Sequence, residues 1–297
     1  MSHKFRFSEK CIDRLKEYCG IPGKDEKVAK PRRVKESELQ KAAQPAEPVA
    51  PAPVPTVEIP KVDGIVARTD VGRVRSSNQD AVIVAPGLAG VADGMGGHQG
   101  GEVASAAARD LLIEFLDGQE MSEGVLKTAV ENVNQRIFVQ QAEDEKLSGM
   151  GTTLTALWFD EKSIIMAHVG DSRAYRLRDG ELKQMTHDHS LVEELVRQGM
   201  LTPEQAACHP MRNVITRAVG TEADIEVDLS TEERHPGDLW LICSDGLHGM
   251  VSDERMKAIL TGNEPEKAAD LLLEAALEAG GRDNISLVIF LDGEADK

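Results

Sequence analysis

The chain has 297 residues and a formal net charge of −17, which is enough length for one large or two ordinary domains and too acidic a balance for a partner of nucleic-acid backbones. No apolar run approaches the roughly 18 residues of a membrane span, so membrane insertion is not expected either. The opening MSHKFRFSEK lacks the apolar segment of a secretory signal, and the expectation is a soluble cytoplasmic protein.

The charge is unevenly spread. Residues 1–42 hold twelve Lys and Arg against seven Asp and Glu, a net of +5 that leaves −22 for the remainder. Within them Phe7, Cys11, Ile12, Leu15, Tyr18 and Cys19 share one helical face, on a helix too short to be stable alone. This N-terminal segment reads either as a solvated tail or as a docking element that folds on a partner. Residues 43–60, AQPAEPVAPAPVPTVEIP, form an extended Pro/Ala-rich linker, and residues 61–297 form the remaining domain. The four cysteines, Cys11, Cys19, Cys208 and Cys243, show no CxxC or zinc-like spacing and read as reduced thiols.

Beyond the linker, apolar alternation predicts strands at 64–69, 81–84 and 88–92, followed by helices at 102–116 and 122–143. Strands follow at 152–159, 163–169 and 172–178, then a helix at 190–198, strands at 225–229 and 239–243, helices at 253–260 and 265–279, and a last strand at 284–290. Short links such as RDGE at Arg178–Glu181 favour antiparallel hairpins. The pattern is α+β: two packed antiparallel sheets flanked by helices.

Four aspartates stand in glycine-rich or turn-forming settings: Asp93 in VADGMGGH, Asp171 in VGDSRAY, Asp245 in ICSDGL and Asp283 in GRDNIS. A preceding apolar strand fixes such a carboxylate, and glycine lets a backbone carbonyl, such as that of Gly94, approach an ion. Oxygen ligands of this kind suit Mg²⁺ or Mn²⁺ better than Zn²⁺. Taken singly, each aspartate fits a turn or a cap as well. Neither a Cys-x5-Arg loop nor a Walker sequence is present, which removes two other ways of handling phosphate.

In order along the chain, RTDVGRVRSSNQD, VADGMGGHQGGEVAS, GMGTT, VGDSRAY, THDHSLV, NVITRAVG, ICSDGL and GRDNIS resemble the metal-dependent Ser/Thr protein phosphatases of type 2C in their bacterial form. The resemblance runs from about Gly64 to Leu291. It implies a four-layer α/β/β/α sandwich with Mn²⁺ or Mg²⁺ at one end between the sheets. It implies that Asp93 bridges two catalytic ions, that the Gly94 carbonyl binds one of them, and that Asp245 and Asp283 hold the ion shared with Asp93. Asp171 is implied in a third, weaker site with Asp245. Arg75 matches the arginine that holds the phosphate, with Arg73 as the register alternative, and Asp80 matches an aspartate that orients metal-bound water. The implied reaction is hydrolysis of phosphoserine or phosphothreonine by a metal-bridging hydroxide. The implied partners are phosphorylated proteins and a bacterial Ser/Thr kinase that the enzyme opposes.

Three departures from the family pattern stand out. Gln79 replaces a common Glu, and Met95 replaces the His of eukaryotic members, leaving His98 as a weak candidate for the leaving-group acid. His248 stands where a smaller polar residue is usual, and a surface position is favoured over substrate contact. The cluster His187, Asp188 and His189 reads as a metal site or as a loop into a helix capped by Ser190 or Asp188. Residues 186–212 then include a flap that governs substrate choice. Asn284 reads as a polar group beside the metals or substrate. Two other functions compete with hydrolysis of phosphoproteins: a catalytically weak phosphoprotein-binding scaffold, and an unrelated metal-dependent phosphodiesterase.

Overall fold

The structure is a computed structural model that describes residues 59–96 and 100–293. The N-terminal segment, most of the linker and His98 lie outside the described residues. Three strands come first: β1 (Ile65–Asp70), β2 (Asp80–Ala85) and β3 (Leu88–Met95). Helices α1 (Gly100–Leu116) and α2 (Glu123–Glu143) follow, then strands β4 (Gly151–Thr152), β5 (Leu154–Phe159), β6 (Ser163–Val169), β7 (Arg173–Arg178) and β8 (Glu181–Gln184). Two short helices, α3 (Leu191–Arg197) and α4 (Pro203–Ala207), precede β9 (Asp228–Glu233) and β10 (Leu239–Cys243). The chain closes with α5 (Asp245–His248), α6 (Asp253–Gly262), α7 (Pro265–Glu278) and β11 (Ile285–Leu291).

The strands form two antiparallel sheets, ordered β1-β11-β10-β7-β8 and β2-β3-β5-β6-β9, with β4 paired to β3. Ser122 caps α2 by accepting from Val125 N, and Ser252 caps α6 by accepting from Arg255 N. On α1 and α2 the buried residues recur at three- and four-residue spacing, Ala104, Ala108 and Leu112, then Leu126, Val130, Val133 and Ile137, so each helix lays one stripe on the second sheet. Met256 and Leu260 of α6 and Ala268, Leu272 and Ala276 of α7 cover the first sheet in the same way. A third apolar layer, including Val82, Val91, Leu157, Trp240, Ile242, Val288 and Phe290, lies between the sheets. This is the expected four-layer sandwich. Truncating wholly buried Leu112 to Ala would cost about 2–5 kcal/mol.

The strand period of two decides what happens at the end of that middle layer. Val82 and Val84 of β2 face between the sheets, and so does Asp80; Ala89 and Val91 of β3 do, and so does Asp93, which stands opposite Asp80 in register. Trp240 and Ile242 of β10 lead to Ser244, and Phe290 and Val288 of β11 lead back to Ser286 and Asn284. One end of the inter-sheet space is therefore apolar and the other polar, built from the same strands.

Several expectations shift. The strand expected at 225–229 forms instead at Asp228–Glu233, because its pairing starts at His168↔Asp228. Ile225, Val227 and Leu229 alternate because they pack against the second sheet's core, whichever residues are laddered. The strand expected at 152–159 breaks at Thr153 into β4 and β5. β8 is the second arm of the hairpin that RDGE signals, for which no bounds were expected; α4, α5 and a 3₁₀ turn at Glu145–Leu147 were not anticipated, and each is five residues or fewer. Cys208 and Cys243 are free, the first exposed and the second buried. Among the described residues no helix is long and apolar enough to cross a membrane.

Candidate metal centre

Glycines let the carboxylate-bearing loops touch. A Cβ on Gly94 would fall 2.0 Å from Gly101 O and 2.5 Å from Gln79 O, and one on Gly246 would fall 1.9 Å from Asn284 O. Only glycine permits the end of β3 to close on the start of α1, and the start of α5 to close on the start of β11. These two contacts carry Asp93 and Asp245 to their places. Gly94 N also donates to Gln79 O at 3.0 Å, and Asp93 N donates to Thr153 Oγ1 at 2.9 Å.

The four aspartates are brought to one end of the sandwich together with Asp80. Asp93 and Asp245 are close enough to share a hydrogen bond. Burial, followed by the charges of Asp80, Asp245, Asp171 and Asp283, pushes the Asp93 carboxyl well above the ordinary range. Burial pushes Asp80 up to about 7 against hydrogen bonds from Ser244 and Ser286, with Asp245 and Asp283 adding repulsion. Burial and then Asp245 push Asp171 up to about 7. Asp245 rises to about 6, through burial and Asp283, despite its bond to Asp93 and the nearby Arg75 charge. Mutual repulsion of this kind is relieved by protons or by cations.

Asp80 is held at one oxygen only. Ser244 Oγ donates to Asp80 Oδ2 at 2.8 Å, while Asp80 Oδ1 is buried and accepts nothing from the protein. Asp171, 7% exposed, also has an unpartnered buried oxygen, Oδ1. Among the described residues, no three His, Cys, Asp or Glu side chains already form a cage around an ion. The donor set nevertheless fits a hard divalent cation: it is all oxygen and negative in excess, with open lone pairs. A main-chain carbonyl such as that of Gly94, together with water, would complete the shell, as Mg²⁺ and Mn²⁺ sites require.

Of Arg73 and Arg75, Arg75 is the one whose charge reaches this group. Its Nη2 donates to Asp283 Oδ2 at 2.6 Å with 49% of the side chain exposed, and Asp93 and Asp245 also lie within its field. The loop that carries it is pinned by Asn284. That buried amide donates to Val71 O at 3.0 Å and Ser77 O at 2.9 Å and accepts from Gln79 N at 2.8 Å. Asn284 thus faces inward as a clamp, not outward to substrate, and the sequence signal was its place directly after Asp283.

His248 departs from the surface position expected of it. It is half-buried, and its Nε2 donates to Asp171 O at 3.0 Å. Ser190 is the cap of α3, accepting from Glu193 N. Asp188 instead pairs bidentately with Arg173, at 2.9 and 2.7 Å. A cavity of about 560 Å³ lies beside the carboxylates. Asp171, Asp245 and Asp283 line one wall, and Val192, Val196 and Pro203, from the segment expected to be a flap, line another.

The family model described as protein phosphatase 2C matches residues 72–273. The chain is 43% identical over 225 residues to the serine/threonine protein phosphatase PstP of Mycobacterium tuberculosis, which covers 75% of this chain but only 44% of that protein. It is 39% identical over 235 residues to the serine/threonine phosphatase stp of Listeria monocytogenes, covering 75% of this chain and 93% of that one. The fold is similar to that of the PstP catalytic domain in complex with two manganese ions, with a TM-score of 0.71 and 41% identity over 76% of this chain and 96% of that domain.

Proposed function

Because the chain belongs to the protein phosphatase 2C family, we propose that it is a metal-dependent protein serine/threonine phosphatase that acts on phosphoserine and phosphothreonine in proteins and opposes a bacterial Ser/Thr kinase. The observation that carries this reading is the surplus of carboxylates at one end of the sandwich, two of them with unpartnered buried oxygens, beside the exposed Arg75. A surplus of this kind is costly in a module that only binds phosphoproteins, which needs cations at its surface.

In this reading Asp93, the Gly94 carbonyl, Asp245 and Asp283 hold two Mn²⁺ or Mg²⁺ ions, and Asp171 takes part in a third site. When bound, the ions supply Lewis-acid activation of water and neutralise charge on the phosphoryl group. Arg75 binds the nonbridging phosphoryl oxygens, a task suited to a planar guanidinium. Asp80, fixed at Oδ2 by Ser244, has Oδ1 open and would orient the attacking water with it. Asn284 keeps the Val71–Gln79 loop closed so that Arg75 and Asp80 hold their spacing. Met95 carries no proton to give, so the leaving alkoxide is protonated by another group.

The deciding experiment is phosphate release from a phosphothreonine peptide by the full chain, with Mn²⁺ and with EDTA, and with Asp93→Asn as the control. Release that needs Mn²⁺ and is lost in the variant supports the reading. Mn²⁺ binding without release would point to a scaffold, and turnover of diesters but not phosphopeptides to a phosphodiesterase.

A further inference from the structure

His189 sits where three segments meet, and nothing in the reaction described above uses it. Its residue is 8% exposed, and its ring lies 4.7 Å from that of His168. Both main-chain groups of Gly170 are tied to it: Gly170 N donates to His189 Nδ1 at 3.0 Å, and His189 N donates to Gly170 O at 2.7 Å. The Gly170 amide can only donate, which makes Nδ1 the acceptor and puts the ring proton on Nε2, facing Asp228 Oδ2 at 3.2 Å; Arg217 Nη1 lies 3.1 Å from the same nitrogen and donates to Asp228 instead. Asp228 is held in turn by Arg217 at 2.8 Å.

Gly170 directly precedes Asp171, and its φ of +110° lies where a side chain is strained. The turn therefore depends on outside bonds to hold one geometry. His189 also begins the flap: Ser190 caps α3, and the segment returning from α4 is laced back onto this spot. Thr216 N donates to His189 O at 2.8 Å, Leu191 N donates to Val214 O at 2.9 Å, and Ser190 bridges Ile215. Arg217, which grips Asp228, belongs to the same returning segment.

We propose that His189 is a positioning residue that couples the flap to Asp171, through the hydrogen bond from Gly170 N to its Nδ1. Residues 190–217, which include the segment expected to be a flap, and the Asp171 carboxylate then shift as one unit, so that occupancy of the cavity and cation binding at Asp171 influence each other. This deepens the phosphatase reading and rests on it for the substrate arm of the test alone.

The test compares four variants of the full chain with wild type: His189→Asn, His189→Gln, Arg217→Gln and Asp171→Asn. The asparagine side chain keeps an acceptor near the place of Nδ1; the glutamine keeps a polar group near Nε2 and loses that acceptor. Mn²⁺ binding is titrated by the electron paramagnetic resonance signal of the free ion, and the weakest class of sites is defined as the class that Asp171→Asn removes. His189→Gln is expected to weaken that class about tenfold, the usual scale for a group that orients a ligand, with His189→Asn within about threefold of wild type. Arg217→Gln, a partly exposed change that leaves the core packed, is expected to weaken the same class about threefold. In the substrate arm, His189→Gln raises KM for a phosphothreonine peptide and leaves kcat/KM for p-nitrophenyl phosphate within about twofold. Equal Mn²⁺ isotherms for the Asn and Gln variants, or an Arg217→Gln isotherm identical to wild type, would overturn the proposal. If the wild type releases no phosphate while the isotherms still separate as expected, the coupling stands and the phosphatase reading falls.

Discussion

The two ends of the inter-sheet layer solve the same electrostatic problem in opposite ways. β10 begins after Asp238 and ends before Asp245; β11 begins after Asp283 and ends before Asp292. At the apolar end, Asp292 and Asp238, whose side chains are 1% and 3% exposed, are each clasped by an arginine, Arg234 at 2.6 Å and Arg178 at 2.6 Å. Arg234 also lies over Phe290, 5.4 Å from its ring centre. At the polar end, Asp80, Asp93, Asp171 and Asp245 repel one another, and Asp80 and Asp171 leave oxygens unpartnered; Arg75 pairs with Asp283, and Arg173, whose charge reaches Asp171, is bonded to Asp188. This chain can neutralise a buried carboxylate with arginine, and at one end it does so. The imbalance at the other end is a cost in folding that a bound divalent cation would offset.

The sharpest way to break this comparison is Asp93→Asn. Phosphate release is expected to fall by about a thousandfold, while the melting temperature in EDTA rises. Replacing a carboxyl that must take up a proton to be buried among others is worth about 1 kcal/mol, or about 2–4 °C in a domain of this size. A variant that loses activity and also melts lower in EDTA would mean that Asp93 is a structural residue. Arg234→Met examines the opposite end. It leaves Asp292 buried and unpaired, and a cost of about 3–5 kcal/mol follows, read as a lower urea midpoint. Activity per folded molecule is expected to stay unchanged, because Arg234 is at the far end from the carboxylates.

Both ends could be read in part from the sequence. The run LWLIC in β10 and the run ISLVIF opening β11, apolar but for Ser286, are buried on both faces, and each aspartate that follows or precedes them had to lie at a sheet end. The motif order then placed those ends together. What could not be read was which arginine serves which carboxylate: Arg234 and Asp292 are far apart in sequence, and no local pattern links them. The role of Asn284 was legible as a position but not as a clamp, since its partners, Val71, Ser77 and Gln79, become neighbours only through the pairing of β1 with β11. The edge strands β8 and β9 are short or polar, and their boundaries are set by pairing, not by their own sequences.

The pH dependence of the metal-free protein sharpens the contrast further. Asp80 and Asp171 have folded-state values raised to about 7 and Asp245 to about 6, against about 3.9 in the unfolded chain. Between pH 4 and 7 these three carboxyls bind more protons in the folded state than in the unfolded one, and their contribution to stability falls as pH rises through that window. His168, held down to about 4, and His248, held down to about 3, bind fewer, and their contribution rises over the same range. The carboxylate part is isolated by comparing wild type with Asp171→Asn in EDTA: the variant's gain in melting temperature is expected to be larger at pH 8 than at pH 5, and to shrink in saturating Mn²⁺. A gain that is the same at both pH values would remove the argument for surplus charge.

The smallest expected effect is at Asn284, which separates arrangement from chemistry within the polar end. Asn284→Ala removes two donors and one acceptor from the Val71–Gln79 loop and leaves Val71 O, Ser77 O and Gln79 N without that partner. The carboxylates keep their own supports: Ser244 still holds Asp80, and Thr153 still holds the Asp93 main chain. What loosens is the loop that aims Arg75. KM for a phosphothreonine peptide is therefore expected to rise about tenfold, the worth of roughly one well-placed hydrogen bond, with kcat within about twofold and Mn²⁺ affinity unchanged. If steady-state kinetics instead show kcat falling while KM holds, Asn284 acts on the reacting group itself, and the division of labour between the clamped loop and the carboxylates would have to be redrawn.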